Sequence, residues 1–285
     1  MVRHFGRKVR TRSPENVVED IKATIAFHEG GLLPRLSRYV WLTDDNFFAD
    51  REWAKSVLNA IIDSGIEYSF TVQARYEVGF DDEMLNLLKR AGFKELALGI
   101  EFLEDEAFAN YHKKSTYSEI IRAIQNIQGH GLNVRGLFIM GADNHVEGSG
   151  ERLADFVLEH DIRGVLIQGM YFVPGTPVYD RYQDRLIHKD WEKYVGNVVH
   201  YPPNISPYAL QKEIIHAIAK VYSVRQLFRV FFQRDWGEKV LFLGEFFWQR
   251  SVVADLKREL PYLRELSKAQ ESCQLQALTS AAIST

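Results

Sequence analysis

The chain has 285 residues, 46% hydrophobic and 26% charged, with a formal net charge of -3. That length buries a full core, and the balance is that of an ordinary soluble globular protein, with no support for bulk nucleic-acid binding. A single cysteine, Cys273, excludes a disulfide framework or a multi-thiolate metal site built from these residues alone and fits a reducing cytosol.

No run of 18 apolar residues reads as a spanning helix, and the N-terminus lacks the apolar core of a signal peptide. A cytoplasmic protein is expected. Residues 1–12 carry Arg3, Arg7, Lys8, Arg10 and Arg12 without an acid, which reads as a solvated arm or as a loop touching an anion. Ser13-Pro14 starts a helix with a buried stripe at Val17, Val18, Ile21 and Ile25, and Gly30-Gly31 stops it.

A unit of strand, loop and helix then repeats. Strands are predicted near 38–43, 67–73, 95–101, 134–140 and 164–172, and helices near 50–63, 82–91, 117–129 and 150–160. Asp50 is placed to cap the second helix, Gly65 and Gly92 to close the second and third, and Thr116 with Glu119 to form a capping box. Alternation of this kind implies parallel strands and right-handed crossovers. Ser69, Thr71, Gln73 and Arg75 share one strand face, and Ala97, Gly99 and Glu101 share another. A strand covered by hydrocarbon on both sides shows no such polar or small face, so a partly open barrel with one face toward a polar cavity is predicted.

After residue 172 comes a rigid turn, Val173 to Tyr179, with two prolines. Ser206-Pro207 opens a long helix. Between Leu227 and Trp248 aromatic residues alternate with charges, which reads as a helical cover over the barrel or as contact with a membrane surface or lipid-like substrate. From residue 267 the Ser/Gln/Ala-rich tail is expected to be disordered. The domains expected are therefore a barrel over 1–180, a helical extension over 181–266 and a tail over 267–285.

The candidate site gathers at strand ends, where parallel α/β proteins bind ligands. Asp44, Asp45 and Asn46 end the first strand and are either a turn or a site. Gln73 and Arg75 end the second; Arg75 is placed to hold a carboxylate or to pair with Glu77 or Asp82. Glu101 ends the third, where a carboxylate accepts two hydroxyl hydrogen bonds or forms a salt bridge. Gly141 ends the fourth, where a missing side chain lets backbone approach a flat ligand or simply turn. No catalytic side chain is assigned. No phosphate loop, nucleophile elbow or His-Glu-x-x-His is present, the nine histidines show no ligand spacing, and His112 and His130 are expected on helix surfaces.

Taken in order, Phe5-Gly-Arg, Arg12-Ser-Pro-Glu, Thr43-Asp-Asp-Asn-Phe47, Leu98-Gly-Ile-Glu101, Arg135-Gly-Leu-Phe-Ile-Met-Gly141 and Pro174-Gly-Thr-Pro-Val-Tyr179 resemble the radical S-adenosylmethionine enzymes of the cobalamin-binding subgroup. The resemblance runs over about residues 4–225. It implies an α/β partial TIM-type barrel, here with about five of six βα units, and a C-terminal helical extension. It also implies S-adenosylmethionine as cofactor, with Asp44, Asp45 and Asn46 at the methionine ammonium, Glu101 at the ribose and Gly141 and Gly169 at the adenine. In the full-length family a 4Fe–4S cluster and cobalamin accompany it, and an electron donor such as ferredoxin or flavodoxin is needed.

The family's Cys-x-x-x-Cys-x-x-Cys loop belongs just before the segment that begins here at His4, and three thiolates are what hold such a cluster. The resemblance therefore implies a C-terminal portion of a radical methylating or rearranging enzyme, with the cluster ligands and cobalamin domain outside it. This portion is expected to be inactive alone, with an exposed edge at its first strand. Two rival readings stand beside it. One is a cluster-free descendant that binds a nucleotide-like ligand or a protein partner. The other is an unrelated barrel lyase or hydrolase using Asp44, Asp45 and Glu101 as acid and base.

Overall fold

The computed structural model describes residues 6, 9–29, 38–103, 116–194, 196–233 and 236–283. Five parallel strands run in sequence order across one sheet: β1 (Tyr39–Leu42), β2 (Ser69–Ala74), β3 (Phe93–Glu101), β4 (Asn133–Met140) and β5 (Gly164–Gly169). A strand order that never doubles back belongs to a barrel, whereas a doubly wound sheet reverses at a switch point. The sheet is a partial TIM-type barrel.

Between the strands lie α1 (Pro14–Glu29, before β1), α2 (Arg51–Asp63), α3 (Asp82–Arg90), α4 (Tyr117–Gly129) and α5 (Ser149–Glu159). Their starts follow local chemistry. Asp50 accepts from the Trp53 amide at 3.0 Å, Asp81 from the Met84 amide at 3.1 Å, and Thr116 with Glu119 completes a capping box. Gly92 ends α3 at φ 90°, and a Cβ there would stand 2.7 Å from the Tyr68 carbonyl oxygen. Position 92 is closed to any side chain.

The chain forms two compact units. The first takes in Met1–Phe138, Phe156–Leu166 and Val224–Glu245. Its core joins Phe70, Val72, Leu96 and Leu98 of the sheet to the buried faces of α2 (Ala54, Val57, Leu58, Ile61), α3 and α4. Phe93 bridges the layers, with its ring 5.4 Å from Phe70 and 6.3 Å from Phe47.

The opposite face of the same strands is filled in an unexpected way. In place of an open polar cavity, this part of the face holds a network of the chain's own side chains. The Tyr39 hydroxyl bonds Thr71 and donates to Glu95 at 3.2 Å. Arg135 donates to Glu95 at 2.8 Å and to Glu245 of the C-terminal segment, and its guanidinium lies 5.6 Å above the Trp41 ring. Gly164 completes the fit, because a Cβ there would meet that guanidinium at 2.6 Å. Burial first and Glu95 next hold the Tyr39 hydroxyl well above its ordinary range, so it stays a donor.

The second unit comprises Ile139–Asp155, Ile167–Ser223 and Phe246–Thr285. Helix α6 (Pro177–Tyr182) follows the rigid turn, and α7 (Pro207–Val221) starts at Ser206, whose hydroxyl accepts from the Ala209 amide at 3.2 Å. Gln211, fully buried on α7, accepts from the Val198 amide at 2.9 Å and donates to the Leu256 carbonyl at 3.1 Å. The chain continues through α8 (Val224–Gln233), α9 (Trp236–Arg258) and α10 (Leu260–Ile283). The tail expected to be disordered from residue 267 is helical to Ile283. Leu, Gln, Glu, Lys and Ala keep intrinsic helix preference where large apolar residues are few. Residues 183–206 are mostly irregular, with short 3₁₀ turns at Gln183–Arg185 and Trp191–Tyr194.

Candidate functional site

In the first unit the acceptor-rich loop follows β1 directly. Asn46 precedes a 3₁₀ turn, Phe47–Ala49, and the buried Phe47 ring pins that turn against Trp53 at 5.2 Å. The Asn46 side-chain oxygen is buried with no hydrogen-bond partner. Buried acceptors in native folds are nearly always paired, so this oxygen beside two carboxylates is open to a donor, whether water or a ligand. Asp44 and Asp45 are exposed. Partial burial and then the neighbouring Asp45 charge raise the Asp44 carboxyl above the usual carboxylate range. A cation placed here relieves that repulsion.

Asn46 also lines a groove of about 280 Å³ together with Arg51, Arg75, Glu77 and Asp81. Arg51 grips Asp81 through two bonds of 2.6 and 2.8 Å, which holds the Asp81 carboxyl low. Arg75 donates to Glu77 at 2.6 Å. Of the two acidic side chains open to Arg75 in the sequence, Glu77 and Asp82, Glu77 is the one it pairs with. Gln73 is half-buried on the same face as Thr71.

Glu101 ends β3 at φ 67°, one of three non-glycine residues with positive φ among those described. The β3–β4 ladder slips here: Gly99 pairs with Leu137, and Glu101 with the next residue, Phe138. Bulges of this kind re-aim side chains beside functional sites. A Cβ on Gly99 would lie 3.7 Å from the Glu101 carboxylate, so that carboxylate is folded over the side-chain-free strand surface. β1 and β3 are next-but-one neighbours, about 10 Å apart across the sheet, and the register sets Leu42 level with Leu96, so Glu101 stands five residues further along than the end of β1.

In the second unit Gly141 ends β4 at φ 109°. Its amide donates to His145 Nδ1 at 2.6 Å, and the buried His200 ring bonds its carbonyl at 2.9 Å. A Cβ at Gly141 would meet His200 Cε1 at 2.8 Å. The close approach that this glycine permits is to the chain's own imidazole. Burial lowers the His200 pKa and keeps the ring neutral. Gly169 is likewise close to backbone, with a Cβ position 2.8 Å from the Asn197 carbonyl oxygen.

Sequence reasoning missed His200, which sits in a segment without periodic pattern. The Glu95–Arg135–Glu245 network was missed too, because its members lie far apart in the chain. His130 is partly buried at the end of α4, bonded to the Asn126 carbonyl at 2.9 Å, and is not a plain surface residue. His112 and most of the basic arm lie outside the described residues. Arg12 of that arm pairs with Asp20 at 2.6 Å, and its carbonyl accepts from the Trp53 indole. Among the described residues no cluster of three or more His, Cys, Asp or Glu could hold a metal ion.

The parallel strands, in sequence order and with carboxylates and an unpaired amide oxygen at their ends, define a partial α/β barrel protein. Residues 1–157 match the Radical SAM superfamily, and the chain belongs to that family. Within it, the resemblance is to the cobalamin-binding subgroup. The hopanoid C-2 methylase of Rhodopseudomonas palustris (strain TIE-1) is 25% identical over 269 residues, 92% of this chain and 49% of that protein. The bacteriochlorophyllide d C-12(1)-methyltransferase of Chlorobaculum tepidum is 24% identical over 222 residues, 76% and 47% respectively.

The structure of the radical S-adenosylmethionine methyltransferase TsrM from Kitasatospora setae, with cobalamin and a [4Fe-4S] cluster bound, shares the fold. Its TM-score is 0.50 and its identity 17%, covering 61% of this chain and 34% of that one. The chain spans about half the length of these curated relatives. Family membership overturns the reading as an unrelated barrel lyase or hydrolase.

Proposed function

We propose that this chain is the S-adenosylmethionine-binding part of a cobalamin-type radical enzyme that methylates an unactivated carbon of a lipid-like small molecule. The observation that carries the reading is the end of β1, where a buried, unpartnered Asn46 oxygen adjoins Asp44 and Asp45, one of them carrying a raised pKa. An ammonium group supplies the missing donor and the missing charge together. Asp44, Asp45 and Asn46 take the methionine ammonium, and Glu101 accepts the ribose hydroxyls. Gln73 lies on the polar face between them. Arg75 stands at the groove with its charge already engaged by Glu77.

The relatives' names, a hopanoid methylase and a bacteriochlorophyllide methyltransferase, support the substrate class. Bound S-adenosylmethionine with cluster and cobalamin supplies the radical and the methyl group, and a ferredoxin- or flavodoxin-like donor supplies the electron. These 285 residues hold one cysteine, so the reading takes the cluster's thiolates from sequence outside them. What this chain does itself is bind and orient. Equilibrium dialysis with S-adenosylmethionine tests that role. Saturable binding is expected, weakened about tenfold or more by D45N, N46A or E101Q, since each removes an acceptor for a charged or sugar donor. Binding that is absent, even with the chain joined to a cluster-bearing segment, or indifferent to all three changes, rules the reading out.

A further inference from the structure

A surface helix ordinarily buries one apolar stripe and shows water a polar back. Helix α8, in the first unit, departs from this. Val230 is buried and Leu227 half-buried, which gives it an inward stripe. A second stripe faces solvent: Val224, Phe228 and Phe231 at i, i+4 and i+7, with Phe232 beside them. Phe228 is 60% exposed and Phe232 78%. The Phe231 and Phe232 rings meet edge to face at 5.7 Å, and Lys239 lies 5.3 Å above Phe231.

Residues 224–234 contain three arginines, Arg225, Arg229 and Arg234, and no acid. Arg229 reaches Asp161 at 3.8 Å, while Arg225 is exposed. Outward aromatic side chains alone would suit any apolar partner. Joined to a cationic run without acids, they match one surface in particular, a bilayer with anionic headgroups, which takes rings at the acyl boundary and guanidinium groups at the phosphates. No helix among the described residues is long and apolar enough to cross a membrane, so contact through α8 is peripheral.

We propose that α8 docks this protein on an anionic membrane surface, with Phe228, Phe231 and Phe232 inserted and Arg225 on the lipid phosphates. The inference does not rest on the methylation reading, and its test involves neither S-adenosylmethionine nor turnover.

The experiment is flotation of the full chain with vesicles of phosphatidylcholine alone or mixed with phosphatidylglycerol, at low and high salt. Binding is expected to the mixed vesicles only and to weaken with salt. F228S/F231S/F232S should abolish it, and R225Q should lower it about fivefold, the effect of one surface charge at an anionic membrane. In a parallel measurement that needs no destabilising change, F231W fluorescence should shift to the blue and escape a soluble quencher when mixed vesicles are added. Three results would each overturn the proposal. They are no flotation with phosphatidylglycerol at low salt, flotation unchanged in the triple variant with F231W still quenched, and concentration-dependent dimerisation through these phenylalanines without lipid binding.

Discussion

Glu101 holds a left-handed backbone where glycine would cost least, and it stays there because the β3–β4 ladder slips by one residue at that point. Strain of this kind, about 1–3 kcal/mol, persists where a side chain must be aimed. E101G is therefore expected to raise the melting temperature while weakening S-adenosylmethionine binding, and thermal denaturation beside dialysis separates the two effects. Asp44 gives a second opposition. Its folded carboxyl holds the proton more tightly than the unfolded one, so its contribution favours folding at low pH and is lost as pH rises from about 4 through the raised value. D44N should flatten that part of a urea-stability profile against pH, making the ligand-free protein slightly more stable above it. It should also weaken the binding of any cationic group. The types of these residues and their strand-end positions were legible in the sequence. The bulge and the orphaned oxygen were not, because register and burial are set by the neighbouring strand.

Elements repeat the lesson at larger size. The strand near 134–140 and the helices near 50–63 and 117–129 lie within a residue of β4, α2 and α4 as observed, since caps and periodicity are local signals. The contents of the polar strand face were not legible. Alternation placed Thr71 there and implied a cavity, but nothing in the sequence announces that Arg135 will bridge Glu95 to Glu245, 110 residues further on. Removing that guanidinium leaves two largely buried carboxylates facing each other. R135L is expected to cost about 3–5 kcal/mol, measured by urea denaturation, and replacing all three residues by apolar ones should cost less. Gly79 carries a separate prediction. A methyl group there would stand 2.7 Å from the Ala123 Cα on α4. G79A should destabilise by about 1–3 kcal/mol through displacement of that helix, read as a lowered melting temperature.

For the molecule as a whole, family membership and the sequential order of strands say more than any single residue does, and they cover a chain about half as long as its curated relatives. The two compact units are interleaved along the sequence. The first compact unit recruits Val224–Glu245 from far downstream, because the inward polar face needs Glu245 as much as it needs its own strands. The consequence is one of timing. On the ribosome the strands that carry Tyr39, Thr71, Glu95 and Arg135 emerge long before residue 245, and domains complete themselves only when all their parts are available. Until then Arg135 has one of its two carboxylates, and the nascent barrel waits on its last contributor. Released chains that end just before and just after residue 245 should differ sharply in resistance to a protease pulse.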